Sequence, residues 1–167
     1  MTTDFASYIA GLPRILAGAS MLCRSADGRI LIVEPNYRHD GTWNLPGGTI
    51  ESDQGETPRQ GARRETAEEV GLDVAPGPLL VVDWSSAPGR PPWVSYLYDG
   101  GVLSEEQLAS VRLQEEELDS WRLMDPAETE RYFGRGQAGR IRAALAALAD
   151  GTGTAELVNG RPATDGG

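Results

Sequence analysis

The stretch that decides the fold is Gly55-Glu56-Thr57-Pro58-Arg59-Gln60-Gly61-Ala62-Arg63-Arg64-Glu65-Thr66-Ala67-Glu68-Glu69-Val70-Gly71-Leu72. Thr57, Pro58 and Gln60 fit a capping box, with Thr57 at the N-cap, proline at the first helical position and glutamine at the third. Gly71 suits the left-handed residue that ends a helix, and Leu72 supplies the apolar residue that often follows it. The spacing therefore predicts a helix over Pro58–Val70. At about 100° per residue, Ala62, Thr66 and Val70 form a stripe of small residues able to face a sheet, while Glu65, Glu68 and Glu69 share an adjacent arc. That acidic arc is electrostatically poor, because Glu65 and Glu69 are like charges one turn apart near the negative end of the helix dipole. A solvated face would explain single glutamates. It does not explain three carboxylates on one arc beside Arg64 and just downstream of Gly47-Gly48. Hard oxygen donors on a rigid face suit Mg²⁺, with Mn²⁺ as a substitute.

Working outward, Arg14–Cys23 is apolar and small, and Arg29–Glu34 reads as a strand, the two forming a hairpin around Asp27-Gly28. Leu79–Trp84, Val94–Tyr98 and Trp121–Asp125 read as further strands, and Arg135–Asp150, with Ile141, Leu145 and Leu148, as a late amphipathic helix. Ala155–Val158 followed by Asn159-Gly160 reads as a short hairpin within a C-terminal tail, residues 151–167, so that residues 1–150 form one domain. Interleaved strands and helices around a central helix give an α/β (α+β) class.

The 167 residues carry 15 basic and 25 acidic side chains, a net charge of −10, and are 40% hydrophobic. This supports a folded core, and the acidic balance disfavours a nucleic-acid partner bound through a basic face. No apolar run reaches the roughly 18 residues of a membrane span, and the N-terminus does not resemble an export signal, so a cytoplasmic setting without membrane association is expected. The single cysteine, Cys23, forms no internal disulfide and reads as a small buried hydrophobe.

The decisive stretch resembles the box of the Nudix hydrolase family (MutT-like), in which a glutamate is followed, after seven residues, by Arg-Glu and a Glu-Glu pair before a glycine. Here Glu56 precedes Arg64-Glu65 by that interval, Glu68-Glu69 and Gly71 follow in place, and Leu45-Pro46-Gly47-Gly48 resembles the approach to the box. Two departures stand out. Seven residues separate Gly48 from Glu56 where the family has five, a two-residue insertion expected to change the loop and not the acids, and Thr66 replaces an aliphatic residue.

The resemblance, extending from about Arg14 to Asp150, implies an α/β/α sandwich with a mixed sheet. It also implies metal-dependent hydrolysis of a pyrophosphate linkage in a nucleoside diphosphate joined to another moiety. It implies Glu65, Glu68, Glu69 and the Gly47 carbonyl as metal ligands, with Arg64 orienting Glu65 and Glu56 in an outer role. Glu65 or a later acid is the base, Glu117 being preferred to Glu116 and Glu115. His39 reads as a plain loop residue, and Trp43, Trp84, Trp93 and Tyr96 as core aromatics that could instead stack on a base. The expected partner is a small nucleotide. Many relatives dimerise, so a homodimer is an expected state, although no stretch marks an interface. The alternative is a catalytically inactive Nudix module that binds a nucleotide ligand and regulates a partner.

Overall fold

A computed structural model describes residues 4–164. Its elements, in chain order, are α1 (Phe5–Ala10), β1 (Leu16–Arg24), β2 (Ile30–Pro35), β3 (Gly47–Thr49), α2 (Pro58–Val70), β4 (Leu79–Ser85) and β5 (Trp93–Val102). They continue with α3 (Glu105–Ala109), β6 (Leu118–Met124), α4 (Thr129–Tyr132), α5 (Arg135–Asp150), β7 (Ala155–Val158) and β8 (Arg161–Pro162). The eight strands form one mixed sheet in the order β6-β2-β1-β5-β4-β7-β8, with β3 paired to β1 off this path. β1 runs parallel to β5 and β4 parallel to β7, while the remaining strand pairs are antiparallel.

Alternation of side chains across the sheet builds two cores, one on each face. On one face Met21, Cys23, Leu31 and Val33 pack with Ala62 and Val70 of α2. On the other, Leu22, Ile30, Ile32 and Leu97 pack with Ala138, Ile141 and Ala144 of α5. The result is the expected sandwich, with the sheet between two helices. The stripe predicted for α2 is fully buried, and the unusual Thr66 satisfies its hydroxyl by donating to the Ala62 carbonyl at 2.8 Å. A threonine can thus replace an aliphatic residue without orphaning a polar group. Cys23 is fully buried, as read.

The ends of α2 are formed as the sequence indicates, with a complete Thr57/Gln60 capping box and Gly71 left-handed at φ 72°. Elsewhere the structure corrects the reading. β6 begins at Leu118 and stops before Asp125, because Leu118 pairs with Pro35 and the Asp125 carboxylate caps the next turn by accepting from Ala127 N–H. β3 consists of Gly47, Gly48 and Thr49 and has no hydrophobic pattern; it exists because β1 offers it a partner along Gly18–Ser20.

Residues 155–162, placed by the sequence reading in a tail, extend the sheet through β7 and β8. Asn159 and Gly160 both have positive φ, at 51° and 74°, the geometry of a two-residue type I′ turn. This turn seats against α5 at Gly136 and Gly139, where a side chain on Gly139 would collide with the Gly160 carbonyl. Gly139→Ala is therefore expected to destabilise the protein by about 1–3 kcal/mol, the usual cost of overpacking. Urea unfolding would show this as a lower midpoint at unchanged slope.

Candidate active site

The candidate site lies where α2, β3 and two loops converge. Arg64 is its hub. Its guanidinium grips Glu56 with two hydrogen bonds, at 2.7 and 3.1 Å, and donates to Glu65 and Glu68 at 2.9 Å each. It also donates to the Thr49 carbonyl at 3.0 Å, tying α2 to β3. The sequence reading had Arg64 hold Glu65; the structure adds Glu56 and Glu68. These carboxylates push the Arg64 pKa up, with Glu56 the strongest influence. Arg64 in turn holds the Glu56 carboxyl below its usual range.

The inserted loop makes its own turn. Ser52–Gln54 is a single 3₁₀ turn closed by Gly55, and the Glu51 N–H donates to Glu56 at 2.8 Å. Glu56 is thereby returned to Arg64 despite the extra residues.

Glu65 lies across β3. A Cβ on Gly48 would come within 2.5 Å of its carboxyl carbon, so glycine is required for that approach. Glu69 is buried, only 8% exposed, and its carboxylate accepts from the Gly47 N–H at 2.8 Å. Gly47 therefore does reach the site, and the group seen in contact is its N–H. Burial pushes the Glu69 pKa up to about 8, against the Gly47 hydrogen bond and with help from the charges of Glu65, Glu117 and Glu68. Burial also raises the Glu65 pKa, opposed by Arg64.

Glu117 comes from a loop anchored on the end of α2, where Arg112 N–H donates to the Val70 carbonyl and Gln114 N–H to that of Glu69, each at 3.0 Å. Its charge is felt by both Glu65 and Glu69, whereas those of Glu115 and Glu116 do not figure there. Glu115, Glu116 and Glu117 are all exposed, and the backbone carbonyls of Glu115 and Glu116 accept from Asn36.

As the side chains stand, no three histidine, cysteine or acidic side chains among the described residues are gathered closely enough to hold an ion. Arg64 engages Glu65 and Glu68, and the Gly47 N–H engages Glu69. The donor chemistry nonetheless fits a hard divalent cation. Burial, with the charges of neighbouring carboxylates, raises the pKa of Glu65 and Glu69, and a cation would relieve that repulsion.

Beside the acids runs an open cleft of about 400 Å³, lined by Gly47 and Gly48 and by Arg38, Arg90, Trp93 and Arg140. His39 is exposed, Trp84 is 40% exposed, and Tyr96 packs against the core. The Arg122 guanidinium lies over the rings of both Trp43 and Tyr132, with centroid distances of 4.6 and 4.4 Å. Of the aromatics considered as base platforms, only Trp93 lines the cleft. The cleft arginines were missed in the sequence, where each stands alone in a different segment.

A helix of paired carboxylates pinned by arginine beneath a Gly-Gly strand, within a mixed α/β sandwich, defines the architecture of the site. A model of the NUDIX domain matches residues 14–145, and the chain belongs to that family. The phosphatase NudJ of Escherichia coli (strain K12) is 28% identical over 103 residues. That match covers 62% of this chain and 64% of NudJ, so the chain spans less than two thirds of that relative's length. The MutT protein from Methanosarcina mazei Go1 superposes with a TM-score of 0.68 at 19% identity, covering 81% of this chain and 96% of that one. The NUDIX domain of Shewanella oneidensis NrtR, complexed with ADP ribose, gives 0.65 at 18% identity, covering 87% and 99%. At these identities the two structures speak for the fold alone. No helix among the described residues is long and apolar enough to cross a membrane.

The raised Glu69 pKa carries a prediction for the metal-free protein. A carboxyl that ionises near pH 8 when folded and near 4.5 when unfolded stabilises the fold fully below pH 4.5. That contribution is lost as pH rises from about 4.5 through about 8. Glu69→Gln is expected to flatten the loss, read as the pH dependence of the urea midpoint in chelator.

Proposed function

We propose that this chain is a divalent-metal-dependent hydrolase, cleaving a pyrophosphate linkage in a nucleoside diphosphate joined to another moiety. The observation that carries this reading is the buried Glu69 carboxylate, held beside Glu65 and within reach of the charge of Glu117 by the N–H of Gly47, a residue that lines an open cleft. Burying a carboxylate among carboxylates is costly to a fold unless a cation is its intended neighbour.

Glu65, Glu68 and Glu69 are the residues to hold Mg²⁺, or Mn²⁺ in its place. When bound, the cation polarises phosphoryl oxygens and lowers the pKa of a bound water. Arg64 positions the acids by fixing Glu65 and Glu68 from one side while Glu56 and the Thr49 carbonyl fix Arg64 itself. Glu65 or Glu117 accepts the proton of the attacking water. The raised pKa of Glu65 brings its basicity closer to neutrality, where a general base is most effective. Gly47 and Gly48 leave the cleft wall free of side chains, so phosphates can approach the acids.

Glu69→Gln is expected to lower turnover by more than about tenfold, or 1.4 kcal/mol of barrier, at saturating Mg²⁺. Near-normal turnover would remove Glu69 from this role. Divalent metal is expected to raise the melting temperature of the wild type, more so with Mn²⁺ or with a nonhydrolysable nucleotide present. A Glu65→Gln, Glu68→Gln, Glu69→Gln triple variant should lose that rise; an equal rise in both proteins would place the ion elsewhere.

A further inference from the structure

The cleft beside the acids has a charge opposite to that of the chain. The protein carries −10 overall, yet three arginines and no aspartate or glutamate line this cleft among the described residues. The three come from separate segments: Arg38 from the loop after β2, Arg90 from the loop between β4 and β5, and Arg140 from α5.

Arg140 is the most constrained of them. Its guanidinium donates to the Ser95 hydroxyl, and its nearest carboxylate, Asp83, stands 3.6 Å away. Asp83 is fully buried and already accepts from the Gly160 N–H at 3.0 Å and the Ser85 hydroxyl at 3.3 Å. The Arg140 Nε is buried without a hydrogen-bond partner. Arg90 forms no ion pair among the described residues, and Arg38 forms none at contact distance, though its charge favours the Asp40 carboxylate. Arg38 and Arg90, exposed and without an ion pair at contact distance, have the charge that phosphate oxygens satisfy, and Arg140 brings a third guanidinium to the same open hollow.

A wall confines this hollow. The Trp93 indole lies against β1, so close that a Cβ on Gly18 would come within 2.5 Å of it. The same cleft is floored by Gly47 and Gly48, which contact Glu69 and Glu65. A ligand filling it therefore spans from the glycines that contact the acids to the arginines.

We propose that the arginine end of the cleft receives a further phosphate of the substrate, beyond the linkage that is cleaved. The preferred substrate is then a nucleotide with a polyphosphate chain, in place of a nucleoside diphosphate capped by a neutral sugar. This rests on the hydrolase reading for the acids, but the cleft itself can be tested without turnover.

Two arms test it. In the first, sodium tripolyphosphate is titrated calorimetrically into metal-free protein in chelator at fixed ionic strength. Wild type should bind, and an Arg38→Ala, Arg90→Ala variant, whose changes are at exposed positions and should leave the melting temperature unaltered, should bind at least about tenfold more weakly. Absent or equal binding would overturn the assignment. An Arg140→Lys variant, which keeps the charge and loses the fork, should also weaken binding; if only this variant fails to fold, the surface pair still decides.

In the second arm, kcat/KM is compared for a dinucleoside tetraphosphate and a nucleoside diphosphate linked to a neutral sugar. Wild type should favour the tetraphosphate, and the surface variant should lose most of that preference. A preference absent from wild type, or unchanged in the variant, would overturn the proposal. If no nucleotide is cleaved while tripolyphosphate binding still depends on the arginines, the hydrolase reading fails and the cleft assignment stands.

Discussion

The grip of one guanidinium on three carboxylates and a backbone carbonyl is the interaction on which the site depends. Arg64 is only 25% exposed in its side chain, and Glu56 and Glu65 less so, at 12% and 15%. In that setting, removing one partner of a charge pair costs more than the pair's net gain, because the remaining charge stays desolvated. The clamp also joins elements distant in the chain. Glu56 anchors the inserted loop, Thr49 anchors β3, and Glu65 and Glu68 belong to α2. Helix, strand and loop therefore hold one relative position.

Around that clamp the acids divide into distinct environments. Glu56 is neutralised by Arg64, Glu68 is half in solvent, and Glu69 is buried with a single N–H for company. The pKa values move apart accordingly, downward for Glu56 and upward for Glu65 and Glu69. Glutamates within one segment thus differ in acidity because burial and partners differ.

The opposite helix completes the other side of the cleft. α5 carries Arg140, and the C-terminal hairpin packs on α5 through Gly136, Gly139 and Gly160 while donating to Asp83. Residues that look like a tail in the sequence are therefore coupled to a cleft residue through a buried carboxylate. In physical terms, a hairpin turn that supplies a hydrogen bond to Asp83 lowers the cost of keeping Arg140 nearby.

By itself the sequence determined α2 in full. Its caps, its buried stripe of Ala62, Thr66 and Val70, and the arc of glutamates all depend on neighbours within a few residues, and local hydrogen bonding and helical periodicity are read directly from spacing. The limits of α5 and the pairing of β1 with β2 around Asp27-Gly28 were legible for the same reason. Tertiary structure alone decided that Glu69 is the buried acid, while the preference for Glu117 over Glu116 and Glu115 already follows from the interval to β6. Tertiary structure also decided that Gly47-Gly48-Thr49 is a strand, and that Arg38, Arg90 and Arg140 share a hollow. Burial and electrostatic fields are sums over atoms brought together from remote parts of the chain, and no local pattern encodes them.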